Sequence, residues 1–272
     1  MEMSDSASKA TRAHGSDRMH VYAFSCGWLA SDMAGFVAGA PGRVKVPVPA
    51  FLIDHPKGRV LFDTGMHPAA GTDPDTRLGA LSPMFDVFFG EDENVASRLA
   101  ALDVDAARVD RVILSHLHFD HAGGVELLPN ARLVVQRREW EAGGDADLAA
   151  RCGFDRKDYD LGHDVELVDG EHDVFGDGRV VCIPTHGHTP GHQSLRIRMD
   201  DGTDVVLCSD ACYLKRNLDE MMLPSVVFSK RQMTASLEKL AALRAAGATM
   251  VYGHDPENWA TVVQAPLDFR VA

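Results

Sequence analysis

The chain has 272 residues, 45% of them hydrophobic and 25% charged, which is the balance of an ordinary globular protein with core enough for one large domain or two small ones. A formal net charge of -13 excludes a protein that works by neutralising a phosphate backbone and disfavours anionic lipid, because both tasks need a basic surface. No run reaches the roughly 18 to 20 apolar residues of a membrane span, so neither nucleic acid nor membrane is an expected partner.

Residues 1–19 are polar and lack the apolar core of an export signal, so they read as a disordered tail before a single domain over 20–272. Short apolar runs at 21–24, 46–53, 59–62, 111–114, 132–135, 180–183, 194–197 and 205–207 predict strands. Most end at Gly, Asp, Ser or His, as strands that feed functional loops do. Two helices stand between them. The first covers 91–102, with Val95, Leu99 and Leu102 on one face. The second starts at Ser229, an N-cap whose capping box Gln232 completes; Phe228 and Met233 take the staple positions, and Gly247 ends it. The stretches 66–90, broken by Pro68, Pro74 and Pro83, and 141–165, rich in Gly and Asp, read as long loops. Five cysteines (Cys26, Cys152, Cys182, Cys208, Cys212) form no CxxC pair, which suits buried thiols in a reducing compartment, and the cytoplasm is the expected location.

Chemistry concentrates where strands end. After the apolar run 112–114 comes His116-x-His118-x-Asp120-His121, four metal-ligating side chains within six residues. Imidazole suits zinc, iron or nickel, and the carboxylate adds a harder oxygen donor. In an extended segment His116, His118 and Asp120 share a face while His121 turns away, and a tight turn permitted by Gly123 and Gly124 can divide the ligands between two ions. His188, Asp210 and His254 likewise close apolar runs. A lone residue of this kind is more often a hydrogen-bonded structural group. Three coinciding with the dense motif favour metal, since a buried, unpaired Asp would be costly.

The segments SHLHFDHAGG, HGHTPGHQS, SDACY and YGHD resemble the metallo-β-lactamase superfamily, and within it the N-acyl homoserine lactonases that quench quorum signals. Asp63-Thr64-Gly65 is similar to the superfamily's early Asp-Thr-Gly loop, and Val134-Val135-Gln136-Arg137 with Glu139 to the lactonases' strand after the metal motif. The resemblance spans roughly residues 20–260. It implies an α/β fold, the αββα sandwich of two mixed β-sheets flanked by helices, with metals at one sheet edge. It implies two zinc ions, with iron, cobalt, manganese or nickel as alternatives: His116, His118 and His188 around one, Asp120, His121 and His254 around the other, Asp210 between them. It further implies attack of a metal-bridging hydroxide on a lactone carbonyl, Asp120 as proton shuttle and Tyr213 over the carbonyl. His192 is expected to orient the ligand loop from behind. His14 and His20 are assigned to the tail, and His55, His163 and His172 to the solvent face. An acyl chain needs an apolar channel, for which Met33, Phe85, Phe88 and Met222 are the leading candidates, with Leu29, Met84, Phe89 and Met221 behind them; such residues fill cores more often than channels. A lactonase for another ring, such as 4-pyridoxolactone, and a glyoxalase II-like thioesterase are the alternatives. A homodimer is left open.

Overall fold

The runs 46–53 and 60–62 are apolar at every position, so both faces of their strands have to be covered. In the computed structural model, which describes residues 18–271, they are. Strands β1 (His20–Asp32), β2 (Arg43–His55), β3 (Gly58–Phe62), β4 (Asp86–Phe88), β5 (Arg111–Ile113), β6 (Arg132–Gln136) and β7 (Val165–Val168) make one sheet, ordered β4-β1-β2-β3-β5-β6-β7. A second sheet holds β8 (His172–Asp173), β9 (Val180–Pro184), β10 (Gln193–Arg198), β11 (Asp204–Leu207) and β12 (Thr249–Val251), ordered β12-β11-β10-β9-β8. Both are mixed: β3, β5, β6 and β7 run parallel beside the antiparallel β1–β2–β3 meander, and β11–β12 is the parallel pair of the second sheet.

Alternation along each strand builds the layers. Phe51, Ile53, Val60, Phe62, Ile113 and Val134 point inward against Val180, Cys182, Leu195, Ile197, Val205 and Leu207 of the other sheet. Their neighbours Leu52, Leu61, Val112, Leu133 and Val135 point outward, under α3 (Val95–Ala100), α5 (Arg137–Gly144) and α6 (Ala146–Cys152). Across the molecule, Val206, Met250 and Tyr252 pack under Leu237 and Leu240 of α8 (Lys230–Ala245). The expected αββα sandwich is therefore present.

The predicted α8 is capped by Ser229, whose Oγ accepts from the Gln232 N–H at 3.4 Å. The first predicted helix is shorter than 91–102: a 3-10 turn at Glu91–Glu93 precedes α3, and Asn94 makes the cap by accepting from Ser97 N–H. The two predicted loops need correction. Residues 66–90 contain α1 (Ala69–Thr72), α2 (Pro74–Leu78), a 3-10 turn and β4. Within 141–165 lie the end of α5 and all of α6; Asp145 caps α6 by accepting from the N–H groups of Asp147 and Leu148, and Gly153 ends it at φ 75°. These helices are too short to show a periodic face, and their signals are caps alone. The expected tail lies outside the described residues apart from its last two positions, and His14 with it. His20 is not tail: it opens β1 and faces Asp268. His55 is buried rather than solvent-facing, stacked on Phe175 with ring centroids 4.1 Å apart.

At the end of the sandwich where β5 and β6 finish, buried amides cross between the sheets. Gln193 on β10 donates to Leu114 O at 2.8 Å and accepts from Gln136 Nε2 at 3.0 Å, while its own N–H reaches Ser115 O at 2.9 Å. Replacing this side chain with one of similar size that cannot bond removes the partner of the Leu114 carbonyl and leaves the Gln136 amide with Gly170 O alone. Gln193→Leu is expected to cost about 2–3 kcal/mol of folding free energy, measured by denaturant unfolding.

Candidate metal centre

The one-turn helix α4 (Phe119–Ala122) begins directly after His118. Its rotation sends Asp120 and His121 away from His116 and His118, which is the division the glycines following it allow. The ligand atoms fall into two groups, His116 with His118, His188 and Asp210, and Asp120 with His121 and His254; within each, all lie within 4.8 Å of one another. In the first, His116 Nε2 stands 2.8 Å from His118 Nδ1 and 3.2 Å from His188 Nε2, and the last two are 3.0 Å apart. A tetrahedral zinc with Zn–N bonds near 2.0–2.1 Å spaces its nitrogens by roughly 3.3 Å, so three converging lone pairs at this separation fit an ion. Asp210 faces both groups. Its Oδ2 is 3.3 Å from His188 Nε2 and 3.6 Å from His116 Nε2, whereas Oδ1 is 3.2 Å from His121 Nε2 and 3.1 Å from His254 Nε2. Asp120 Oδ2 completes the second group at 3.6 Å from His121 Nε2 and 3.7 Å from His254 Nε2.

Each imidazole is held by the nitrogen that faces away from its group. His118 Nε2 donates to Cys152 O at 2.7 Å, His121 Nδ1 to Asp63 Oδ2 at 2.9 Å, and His254 Nδ1 to Pro47 O at 2.7 Å. His116 Nδ1 meets Ser115 Oγ at 2.9 Å, and His188 Nδ1 meets Tyr213 Oη at 3.1 Å. In the neutral rings these contacts place the proton on the outward nitrogen and leave the inward one to accept, as metal ligation demands. β2 runs past the last residue paired with β3, and there Pro47 offers its carbonyl to His254. Asp63 closes β3 with φ 58° and accepts from Ser115 N–H at 2.7 Å as well as from His121. Close backbone approach is required too: a Cβ on Gly253 would overlap Ser209, so the residues preceding His254 and Asp210 lie back to back.

The charges agree with the donor set. Burial holds His116 and His188 well below the ordinary histidine range, and His118 below it, so these imidazoles stay neutral. At His121 burial acts the same way, but the carboxylates of Asp210, Asp120 and Asp63 outweigh it and raise the group well above 6.5; His254 is raised by Asp210 and Asp120 against its burial. Burial pushes the Asp210 carboxyl up, yet His121, His254 and His116 hold it well below 3.8. This is a buried site with excess negative charge that draws in a cation. His121 Nε2 and Asp210 Oδ1 are buried without a hydrogen-bond partner among the described residues, as ligand atoms awaiting an ion would be. The residues fit a pair of divalent metals.

Seven positions read from sequence as ligands are thus brought together. Of the expected channel residues, Met33, Phe85 and Met222 pack in one apolar cluster with Tyr213, Phe36 and Phe119. Phe88 is 44% exposed on β4, its ring 4.0 Å below the Lys45 ammonium, apart from that cluster. Ser115, Phe119 and the carbonyls of Pro47 and Cys152 were not singled out, and Asp63 was noted only within its motif. Asp63 carried a usable signal, a carboxylate closing an apolar strand, the same one that drew attention to Asp210. A hollow of about 730 Å³ opens at the other end of the sheet, beside Gly58, Arg111 and Arg132. Its cations have partners, Arg132 with Asp164, Lys57 with Asp177 and Arg111 over the Phe175 ring, and in open sheets ligands favour the carboxyl ends of strands, where the histidines are.

A two-layer β sandwich between helices, with two sets of His and Asp side chains at the strand ends on one side, is the architecture of a metal-dependent hydrolase. Residues 43–254 match the sequence profile of the metallo-beta-lactamase superfamily, and the chain belongs to that family. Its relatives point to the lactonase branch. N-acyl homoserine lactonase AttM of Azorhizobium caulinodans is 37% identical over 231 residues, 82% of this chain and 87% of that one. N-acyl homoserine lactonase AiiA of Bacillus thuringiensis subsp. kurstaki is 28% identical over 222 residues, 80% and 85% of the two chains. The solved structure of an N-acyl homoserine lactone hydrolase with N-hexanoyl-L-homoserine at its catalytic metal centre superposes with a TM-score of 0.83 at 25% identity, covering 93% of this chain and 100% of that one.

His192 lies behind the first group, its Nδ1 3.0 Å from Thr185 Oγ1 and its ring centroid 5.2 Å from that of His116. Burial lowers it from 6.5 to about 3, so the folded protein binds fewer protons here than the unfolded chain between those values. Its contribution to stability is present above pH 6.5 and is lost as the pH falls toward 3. His192→Asn keeps an amide near the Nδ1 position but does not titrate. The stability gap between metal-free wild type and this variant is expected to narrow as the pH falls through that window, measured by denaturant unfolding.

Proposed function

We propose that this enzyme opens the ring of N-acyl homoserine lactones with two divalent ions, zinc by the donor set, held at the centre described above. The observation that carries the reading is Asp210, with one carboxylate oxygen facing each ligand group and Tyr213 three residues further on. The relatives named as lactonases support it. His116, His118 and His188 would hold one ion, Asp120, His121 and His254 the other, and Asp210 both. When bound, such a pair polarises a carbonyl and makes water acidic enough to attack as hydroxide at neutral pH.

The chain's own groups supply the rest. The Nδ1–H of a metal-ligating His188 donates to Tyr213 Oη, so the phenol donates its own proton, which Asp210 accepts in the folded chain and for which a substrate oxygen would compete. Burial, together with Asp210 and Asp120, keeps that phenol well above pH 10, so it serves as a donor rather than a phenolate. A lactone leaves as an alkoxide and needs a proton. Asp120 is the more accessible of the two inward carboxylates, with a side chain 11% exposed against 4% for Asp210, which suits it to carry that proton. The apolar cluster of Met33, Phe85, Met222 and Phe119 lies beside Tyr213 and offers a wall for an acyl chain; Phe88 stands outside it. No helix of the described residues is long and apolar enough to cross a membrane. A cytoplasmic location, supported by five free cysteines, belongs to this proposal.

Tyr213→Phe is expected to lower kcat on a homoserine lactone by about 100-fold at saturating metal, with both metal equivalents retained by elemental analysis. A panel of acyl homoserine lactones of varied chain length, with 4-pyridoxolactone and a thioester alongside, is expected to give its highest kcat/KM on an acyl homoserine lactone. A thioester at the top would overturn the substrate assignment and leave the metal centre standing.

A further inference from the structure

Glu139 is fully buried, yet its carboxylate is used by neither the ligand groups nor the proton path described above. It stands in the first turn of α5, beneath the loops that carry the first ligand group. Its Oε1 accepts from the Leu117 N–H at 3.3 Å, and Oε2 accepts from the Gly191 N–H at 2.6 Å. Leu117 lies between His116 and His118, and Gly191 lies three residues after His188. One carboxylate therefore joins the two loops whose histidines meet. The approach is close: a Cβ on Gly191 would overlap the Glu139 backbone nitrogen. Among the described residues Glu139 forms no ion pair with Lys or Arg. Burying an acid held by backbone N–H groups is costly, and an apolar side chain would pack under α5 without that cost.

We infer that Glu139 is a positioning residue for the three-histidine group, setting the separation of the 116–118 and 188–191 loops so that His116, His118 and His188 converge on one ion. The inference rests on the metal reading given under Proposed function. It carries a directional consequence, because Leu117 and Gly191 adjoin the first group's own histidines, whereas α4 with Asp120 and His121 is tied separately to Asp63 and Thr64, and His254 to Pro47 O. Weakening Glu139 affects the first group and spares the second.

Glu139→Gln keeps the volume but turns an N–H toward one of the two N–H donors, so one bridge is lost. Wild type and variant are equilibrated with limiting zinc and a competing chelator, and the occupancy of each group is read from anomalous diffraction. The expected result is affinity lower by about 10–100-fold in the three-histidine group, the scale of losing a group that orients a metal ligand, with the Asp120–His121–His254 group little changed. Equal loss from both groups, or no loss from either, would overturn the inference. The Tm of the metal-free variant separates loosened ligands from general unfolding, and Glu139→Asp, too short to span both N–H groups, replaces the variant if Glu139→Gln does not fold. Wild-type protein binding zinc in neither group would remove the metal reading itself, a failure visible before any variant is compared.

Discussion

Asp210 is a buried carboxylate with imidazole nitrogens within 3.6 Å of both its oxygens, and the rest of the molecule is arranged to make that position tolerable. Asp63 and Asp120 lie in the same pocket of charge, and an apolar sandwich has no solvent with which to screen them. Against burial, these carboxylates raise the proton affinity of His121 and His254. Two divalent ions would offset the same charge without demanding protons from the imidazoles that would ligate them. The three neutral histidines and the two with raised affinity for protons are thus two responses to one excess of negative charge.

Holding so many ligands in one place falls to the ends of strands. β3 ends at Asp63, β5 at the His116 loop, β9 at the His188 loop, β11 before Asp210 and β12 before His254. Strand ends from both sheets can converge because the inter-sheet core stops there and buried amides take over, with Gln136 and Gln193 linked across the gap. A similar exchange of apolar for polar contact occurs under α5, where Glu139 replaces what would otherwise be a hydrophobic foot. The insertion carrying α6 does comparable work on the outer side: Cys152 O orients His118, and Phe154 sets its ring 5.4 Å from the same imidazole.

Eight of the strands and α8 were legible in sequence because each carries a local signal, an apolar run or a cap and a glycine stop; β4, β7 and β8, short and half-exposed, carry none. The short helices at α2 and α6 were not, since five and seven residues give no readable period and only their end residues, Asp73, Pro74 and Gly79 for one and Asp145 and Gly153 for the other, mark them. The seven candidate ligands stood out because their residue types are dense or costly at strand ends, and the fold brings them into two groups. The carbonyls of Pro47 and Cys152 could not be found that way, because a backbone acceptor has no residue signature. Phe88 illustrates a related limit. Its hydrophobicity marked it for the channel, but alternation along β4 carries it out under Lys45, and that facing is set by pairing with β1.

The bond from His254 to Pro47 O joins positions 207 residues apart. Closing so long a loop is slow and entropically unfavourable until the contacts on either side of it exist. A complete centre therefore belongs to the late, fully docked chain, and no local fragment can rehearse it; the 116–121 segment alone contributes four ligands and lacks the bridge. Metal capture becomes a report on completed topology. An ion that bound only the finished arrangement would draw the folding equilibrium toward it by mass action, so metal supply and the persistence of this fold would be linked through a single carbonyl on β2.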